Sequence, residues 1–315
     1  MAWHRSQSAH CLTSIPALMS AGSRPVRRNA SRRNRSAQPA AVSESPETAE
    51  GAVEGTGGGR FQLTKWYLDC VSESGEAMIG YWAELRWRKL AVHYASVMMF
   101  VDGQLRERST LRAGQAPQLA GGLLEWSCNA LHTSGTWRAT ARPPISRVLH
   151  RHGDRRLEWQ CIQPLAEASV RCGEHQISGP GYTECITLTV APWKLPIEEL
   201  RWGRAHFPGR SVVWIDWTGP EPTRMVLVDM KEVEGIQVTD ALVSTPRTTI
   251  KLAGRCVLRE GPVAGSSAGA VPGVRQALSR AGLLMDEHKW LSSATLEEGD
   301  VTLQGNAIHE VVKWR

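Results

Sequence analysis

Tyr182-Thr183-Glu184-Cys185-Ile186-Thr187-Leu188-Thr189-Val190 is the stretch on which the fold turns. Bulky side chains recur at every second position, so Tyr182, Glu184, Ile186, Leu188 and Val190 share one face of a β-strand. Runs of the same texture fill the chain from Phe61 onward. They cover 64–71, 77–87, 90–101, 123–128, 136–141, 156–162 and 166–172, then 198–204, 211–217, 223–230, 248–253, 255–260 and 307–314. Val101-Asp102-Gly103, His152-Gly153-Asp154 and Trp217-Thr218-Gly219-Pro220 supply turn chemistry between runs. Strands arriving every ~8–12 residues predict a mostly β, antiparallel protein built as barrels or sandwiches. Closing a barrel would remove the exposed edges that so many strands create. One segment differs: Val274, Ala277, Leu278, Ala281 and Leu284 have helical spacing and predict a single late helix.

Composition narrows the function classes. Of 315 residues, 42% are hydrophobic and 22% charged, enough for one large core or two modest ones. No apolar run approaches the ~20 residues of a membrane-spanning helix. The formal charge of +6 would suggest nucleic acid, but residues 1–60 hold eight Arg and no Lys against four Glu, which leaves +2 for the rest. No specific nucleic-acid partner is therefore expected. The seven Cys show no C-x-x-C spacing, which speaks against a zinc ribbon, and a chain this long rarely relies on a disulfide framework. No metal or other cofactor is expected, and the cysteines should be buried and free.

Residues 1–43 carry seven Arg and no acidic residue, and residues 44–59 form a Glu/Gly/Ala/Thr linker ending in Gly57-Gly58-Gly59. Lacking a periodic apolar face, 1–60 is expected to be a disordered leader. Two origins fit this composition, an organelle transit peptide and an upstream start that adds an inert leader. A cytoplasmic location is expected, or an organelle if residues 1–43 act as a targeting signal.

Polar residues on apolar faces are the candidates for chemistry. Besides Glu184, one face of 307–314 reads Ile308, Glu310, Val312, Trp314; one face of 198–204 reads Glu198, Leu200, Trp202, Arg204; and one face of 211–217 reads Val212, Trp214, Asp216. Carboxyl groups among bulky apolar neighbours are costly unless paired. Desolvation raises their pKa and a nearby Arg204 would lower it. Such a group is either half of a buried ion pair, the commoner outcome, or a general acid in a dry pocket. Leu124-Glu125-Trp126-Ser127-Cys128 also returns as Leu157-Glu158-Trp159-Gln160-Cys161, as two matching hairpins of one sheet would.

Gly179-Pro180-Gly181-Tyr182-Thr183-Glu184, followed by Leu200-Arg201-Trp202-Gly203-Arg204 and a Trp-rich strand, resembles the carotenoid 1,2-hydratase (hydroxyneurosporene synthase) and AttH-like group. The resemblance implies two lipocalin-like barrels in tandem, here 61–192 and 193–315. It further implies an apolar, isoprenoid-like small molecule or lipid as partner, with possible peripheral membrane contact, and acid-assisted hydration or cyclisation. Glu184, Asp216 and Arg204 would be catalytic, with Tyr182, Trp202, Trp214 and Glu310 binding the ligand. Where the group often places Asp-His after Gly-Tyr, this chain has Glu184 and Cys185, which keeps the carboxyl and loses the imidazole. The rival from another class is a non-catalytic lipid carrier or scaffold with the same kind of pocket. Most of the thirteen Trp are expected to be packing.

Gly265-Ser266-Ser267-Ala268-Gly269 matches the G-x-S-x-G elbow of serine hydrolases, with Asp286, His288 and His309 downstream. That elbow belongs to a parallel α/β sheet, and nothing before residue 265 reads as one.

Overall fold

The computed structural model describes residues 61–140, 143–262 and 285–314, which belong to one compact unit. The leader, the late helix expected over 274–284 and Ser267 lie outside the described residues. Among the described residues, nineteen strands form two antiparallel sheets. The first sheet holds β1 (Gln62–Val71), β2 (Ala77–Trp87), β3 (Leu90–Val101), β4 (Gln104–Thr110), β5 (Gln118–Ala120), β6 (Leu123–Cys128), β7 (Thr133–Ala139), β8 (Ile145–His152), β9 (Arg155–Cys172) and β10 (His175–Leu188). The second holds β11 (Glu199–Phe207), β12 (Arg210–Thr218), β13 (Thr223–Val228), β14 (Lys231–Val233), β15 (Gln237–Val238), β16 (Leu242–Ser244), β17 (Thr249–Pro262), β18 (Met285–Glu298) and β19 (Val301–Trp314).

Both sheets run the same course. The first has the order β4-β3-β2-β1-β10-β9-β7-β6-β5, with β8 beside β9, and the second β14-β13-β12-β11-β19-β18-β17-β16-β15. In each, the opening strand pairs with both the next strand and the last. Thus β11 takes the place of β1, and β19 that of β10. This is the expected antiparallel, lipocalin-like architecture, with one difference from a closed barrel: among the described residues both ladders end, at β4 and β5 and at β14 and β15. The sheets are nevertheless strongly rolled. A Cβ on Gly80 of β2 would lie 2.8 Å from the Trp126 ring of β6.

Alternation sorts the side chains into three apolar layers. Inside the first roll lie Leu68, Met78, Val97, Trp126 and Trp137, and inside the second Phe207, Val212, Trp214, Ile250 and Leu296. The third layer lies between the sheets, where Tyr67, Ile79, Tyr81, Trp159 and Tyr182 meet Trp202, Val213, Ile215, Leu291 and Ile308. Fully burying one such side chain contributes ~1.5–3 kcal/mol, so this shared layer holds the two sheets as one body.

The runs 156–162 and 166–172 join into the single strand β9. Alternation fails around Pro164 because the β9–β10 ladder shifts register between Gly181 and Glu184, a bulge that re-aims the side chains near Glu184. The echoed pentapeptides lie on β6 and β9 but face different layers, Trp126 the first roll and Trp159 the inter-sheet layer. What repeats in this molecule is the strand order.

Candidate active site between the sheets

Tyr67 on β1 stands opposite Glu184 on β10 and, on its other side, opposite Tyr81 on β2. In the second sheet, Trp202 on β11 stands opposite Glu310 on β19, and Glu310 stands opposite Lys289 on β18. Glu184 and Glu310 therefore occupy matching places in the two sheets. The two rows meet across the layer, where Trp202 Nε1–H donates to Glu184 and Lys289 Nζ donates to the Tyr81 hydroxyl oxygen at 2.9 Å. Three of the chain's four tyrosines gather here. Edge-to-face contacts at centroid distances of 4.9 Å (Tyr67–Trp202), 5.4 Å (Tyr67–Tyr81) and 5.9 Å (Tyr182–Trp202) fix their rings.

Glu184 is buried. Its Oε2 accepts three hydrogen bonds, from Trp159 Nε1–H (2.5 Å), the Tyr182 hydroxyl (2.7 Å) and Trp202 Nε1–H (3.2 Å). All three donors are neutral, and among the described residues no Lys, Arg or His reaches the carboxyl at ion-pair distance. Burial pushes the Glu184 carboxyl above the usual range, and the Trp159 and Tyr182 bonds and the charge of Lys65 oppose that without reversing it. With the donors crowded on Oε2, Oε1 is the oxygen left free to carry a proton.

Glu310 has a charged partner instead. Lys289 Nζ is bonded to Glu310 and lies 3.2 Å from Glu287 Oε1, and Arg259 joins Glu287 (3.1 Å) to Glu107 (2.6 Å). The Lys289 ammonium is caged by the rings of Tyr67, Tyr81 and Trp202, at 5.7, 5.6 and 5.9 Å from their centroids. Burial works against its charge, but Glu310 and the groups around it outweigh that and hold its pKa well above the ordinary value. Burial likewise pushes Glu287 up, yet Lys289 and Arg259 prevail and hold it at about 2.

One row away, Arg204 clamps Asp69 through Nε–H to Oδ2 (2.9 Å) and Nη2–H to Oδ1 (2.8 Å), and both residues are fully buried. The Tyr67 hydroxyl adds a third bond to Asp69 at 2.9 Å. Burial disfavours the Arg204 charge, and Asp69 more than offsets it, raising the guanidinium pKa. Trp137 Nε1–H reaches the Asp69 carbonyl oxygen at 2.7 Å because residue 181 is glycine. A Cβ there would lie 2.7 Å from that oxygen and 2.8 Å from the indole.

Lys65, two residues before Tyr67 on the same face of β1, is solvent-accessible, and its Nζ lies 4.9 Å from the Tyr81 ring centroid. At the other end of these strands, an apolar cleft of about 730 Å³ is lined by Leu165, Pro180, Phe207, Pro208 and Asn306. Glu184 does not line that cleft.

The structure brings Tyr182, Glu184, Trp202 and Glu310 into the layer between the sheets and separates three other candidates from them. Arg204 meets neither Glu184 nor Asp216, because Asp69 takes it. Asp216 shares the inner face of the second roll with Val212 and Trp214 and accepts a 3.0 Å bond from Arg224, its cross-strand neighbour. It is half of an ion pair. Trp214 packs over Gly203 inside the second roll, away from Glu184. Trp202 is present, but its edge serves Glu184 and its face the Lys289 ammonium. His309 faces Ser292, with its Nε2 2.9 Å from Oγ, and burial lowers its pKa to about 4. His288 lies 3.7 Å from Glu260.

Sequence reasoning missed Tyr67, Asp69, Tyr81, Trp159, Glu287 and Lys289. The signal for Asp69 was present, as a lone charge inside the apolar run Tyr67-Leu68-Asp69-Cys70-Val71. All six described cysteines are free, five of them buried. Among the described residues, no group of three or more His, Cys, Asp and Glu is gathered as a metal would require, and no helix is long and apolar enough to cross a membrane.

No protein-family model matches this chain, and no curated protein matches it in sequence. Among solved structures, an AttH-type protein of Nitrosomonas europaea is 8% identical, covers 81% of this chain and 93% of its own, and superposes with a TM-score of 0.51. The fold is therefore AttH-like. Kievitone hydratase from Nectria haematococca (10% identity, 81% of this chain, 89% of that chain, TM-score 0.48) and CghA (11%, 81%, 88%, 0.47) superpose less well and add no weight.

Proposed function

We propose that this protein is an acid catalyst that hydrates or cyclises an apolar, isoprenoid-like ligand, with Glu184 as proton donor. The observation that carries this proposal is the set of three neutral donors on one oxygen of a buried carboxyl that has no cationic partner. A structural carboxylate at this depth would be expected to have a base, as Asp69, Asp216, Glu287 and Glu310 each do. Glu184 is instead held in one orientation while its other oxygen keeps a proton.

In the proposed step, a ligand C=C takes the proton from Oε1 with its π electron pair. Water, or a nucleophile within the ligand, then bonds to the electron-poor carbon and returns a proton to Glu184, which restores the acid. Trp159 and Tyr182 keep Oε2 bonded throughout, so the carboxylate formed midway is stabilised by groups already in place.

A carrier without catalysis is the second reading, and one observation favours it: the ligand-sized apolar cleft of about 730 Å³ lies away from Glu184. Native mass spectrometry of the full chain with its co-purifying lipids, repeated on Glu184→Gln, separates the two. The acid proposal expects an unreacted apolar compound on the variant and its hydrated or cyclised form on the native protein. The same compound retained unchanged on both would make the protein a carrier.

A further inference from the structure

One end of the first sheet carries an excess of positive charge. Leu85, Leu63, Leu188, Leu157 and His150 form one row across β2, β1, β10, β9 and β8. Just past that row, at the same end, come the β2–β3 turn at Arg88 and Lys89, the short turn Pro192–Lys194 after β10, and the β8–β9 turn at Gly153 and Asp154. Arg88, Lys89, Arg151 and Lys194 are exposed, Arg155 is half-buried, and among the described residues none of the five meets a carboxylate at ion-pair distance. The nearest acidic groups are already engaged: Glu84 by Arg86 and His93, Glu158 by Arg156, and Glu221 by His150. Asp154 and, just before β11, Glu198 are the other carboxylates at hand, so five cations face two anions.

Two details of these turns run against what stability alone would select. Arg151 stands directly opposite Arg156, and His152 opposite Arg155, and like charges so placed repel. In the β2–β3 turn Arg88 has a φ of 56°, a left-handed conformation that Gly or Asn adopts more readily. Such choices point to a use for the charge. Aromatic rings lie among the cations. Half-buried Trp87 and Trp193 have centroids 5.5 Å apart, Trp193 meets Phe61 at 5.9 Å, and the Arg88 guanidinium lies 5.3 Å from the Trp87 ring centroid. Indoles packed on an apolar layer at one side, wet at the other and set among Lys and Arg suit the boundary between lipid headgroups and acyl chains.

We propose that this end of the first sheet docks on an anionic phospholipid bilayer, with the three turns against the acidic headgroups and Trp87 and Trp193 at the boundary below them. The unanswered cations select an acidic bilayer over a neutral one. Nucleic acid fits less well, because Arg88 lies over the Trp87 ring on which a base would stack. The surface does not involve Glu184. It would serve an acid catalyst or a carrier alike, by bringing either to the phase in which apolar molecules collect.

The test is co-sedimentation of the full-length protein with vesicles of phosphatidylcholine, alone or mixed with phosphatidylserine. Native protein is compared with a variant that loses one cation from each turn (Lys89→Gln, Arg151→Gln, Lys194→Gln). A control makes the same change in charge at the opposite end of the sheet (Arg106→Gln, Arg108→Gln, Arg171→Gln). All six side chains are exposed, so both variants are expected to fold, which circular dichroism checks. Native protein and control should bind the mixed vesicles equally well and leave pure phosphatidylcholine alone. The three-turn variant should bind about a hundredfold less, each cation at an anionic surface contributing about fivefold. Native binding should fall as salt rises from about 0.1 M to about 1 M. Equal loss in both variants, or loss in neither, would assign binding to overall charge or to the Arg-rich leader and overturn the proposal. Native protein that ignores the mixed vesicles would overturn it too, as would a three-turn effect seen only with a DNA duplex. Glu184→Gln should bind vesicles as native protein does, so the acid reading stands or fails on its own products.

Discussion

Glu184 and Glu310 sit at matching places in two sheets of identical strand order, each opposite the aromatic residue of its opening strand, Tyr67 or Trp202. Their surroundings are opposite in kind. At the position beside Glu310 stands Lys289, and the carboxyl joins a network of cations and anions. At the equivalent position beside Glu184 stands Cys161, a neutral group, and the carboxyl is bound by indole and phenol donors. The same backbone frame thus yields an ion pair on one side and, on the other, a buried carboxyl without a cationic partner whose pKa is raised by burial. The neighbouring pair makes a related point, because Asp69 and Arg204 also hold matching places and neutralise each other across the layer.

The largest expected effect comes from breaking that shared frame. Arg204→Met leaves Asp69 buried and unpaired and should cost about 3–5 kcal/mol in urea unfolding. Both sheets should lose stability together, because the pair joins them. A loss under ~1 kcal/mol would mean that the pair contributes little to holding the layer.

The next effect concerns the Glu310 side. Lys289→Met removes hydrogen bonds between charged groups and leaves Glu287 and Glu310 less well compensated, for an expected loss of about 2–3 kcal/mol at neutral pH. The pH dependence has a definite sign. The folded pKa of Glu287 lies below its ordinary value, so its stabilising contribution is present above about 4.5 and is lost as pH falls toward about 2. Native protein should weaken across that window, and Glu287→Gln should weaken less steeply. Parallel acid titrations of the two would show that Glu287 is not held down in the native protein.

Much of this fold was legible because strands buried on both faces still alternate in size. The Tyr182–Val190 stretch announced its own strand and the correct face for Glu184. The strands that escaped notice are those whose alternation is hidden by charge or brevity, such as β4 (Gln104–Thr110), exposed along most of its length, and β18, which opens Met285-Asp286-Glu287-His288-Lys289. Candidate residues were found wherever a charge interrupted an apolar face, but their partners were not. Whether Arg204 meets Asp69 or Glu184, or Asp216 meets Arg224, depends on register and on which faces of the two rolls are apposed. Neither is written in local spacing. The inward position of Trp214 likewise follows from its packing over Gly203, a fact of strand pairing.

Glu184, unlike its counterpart, is buried among neutral donors, and burial raises its carboxyl pKa above the usual range. A folded pKa above the ordinary carboxyl value means that its contribution to stability is full below about 4.5 and is lost as pH rises through the higher folded value. The most direct measurement is an infrared titration of the full-length protein, following the C=O stretch of protonated carboxyl groups from pH 4 upward and subtracting Glu184→Gln. A protonated-carboxyl band that survives above the ordinary carboxyl range and is absent from the variant is expected. A difference band that vanishes at or below about 4.5 would place Glu184 among the ionised carboxylates and rule it out as the proton donor.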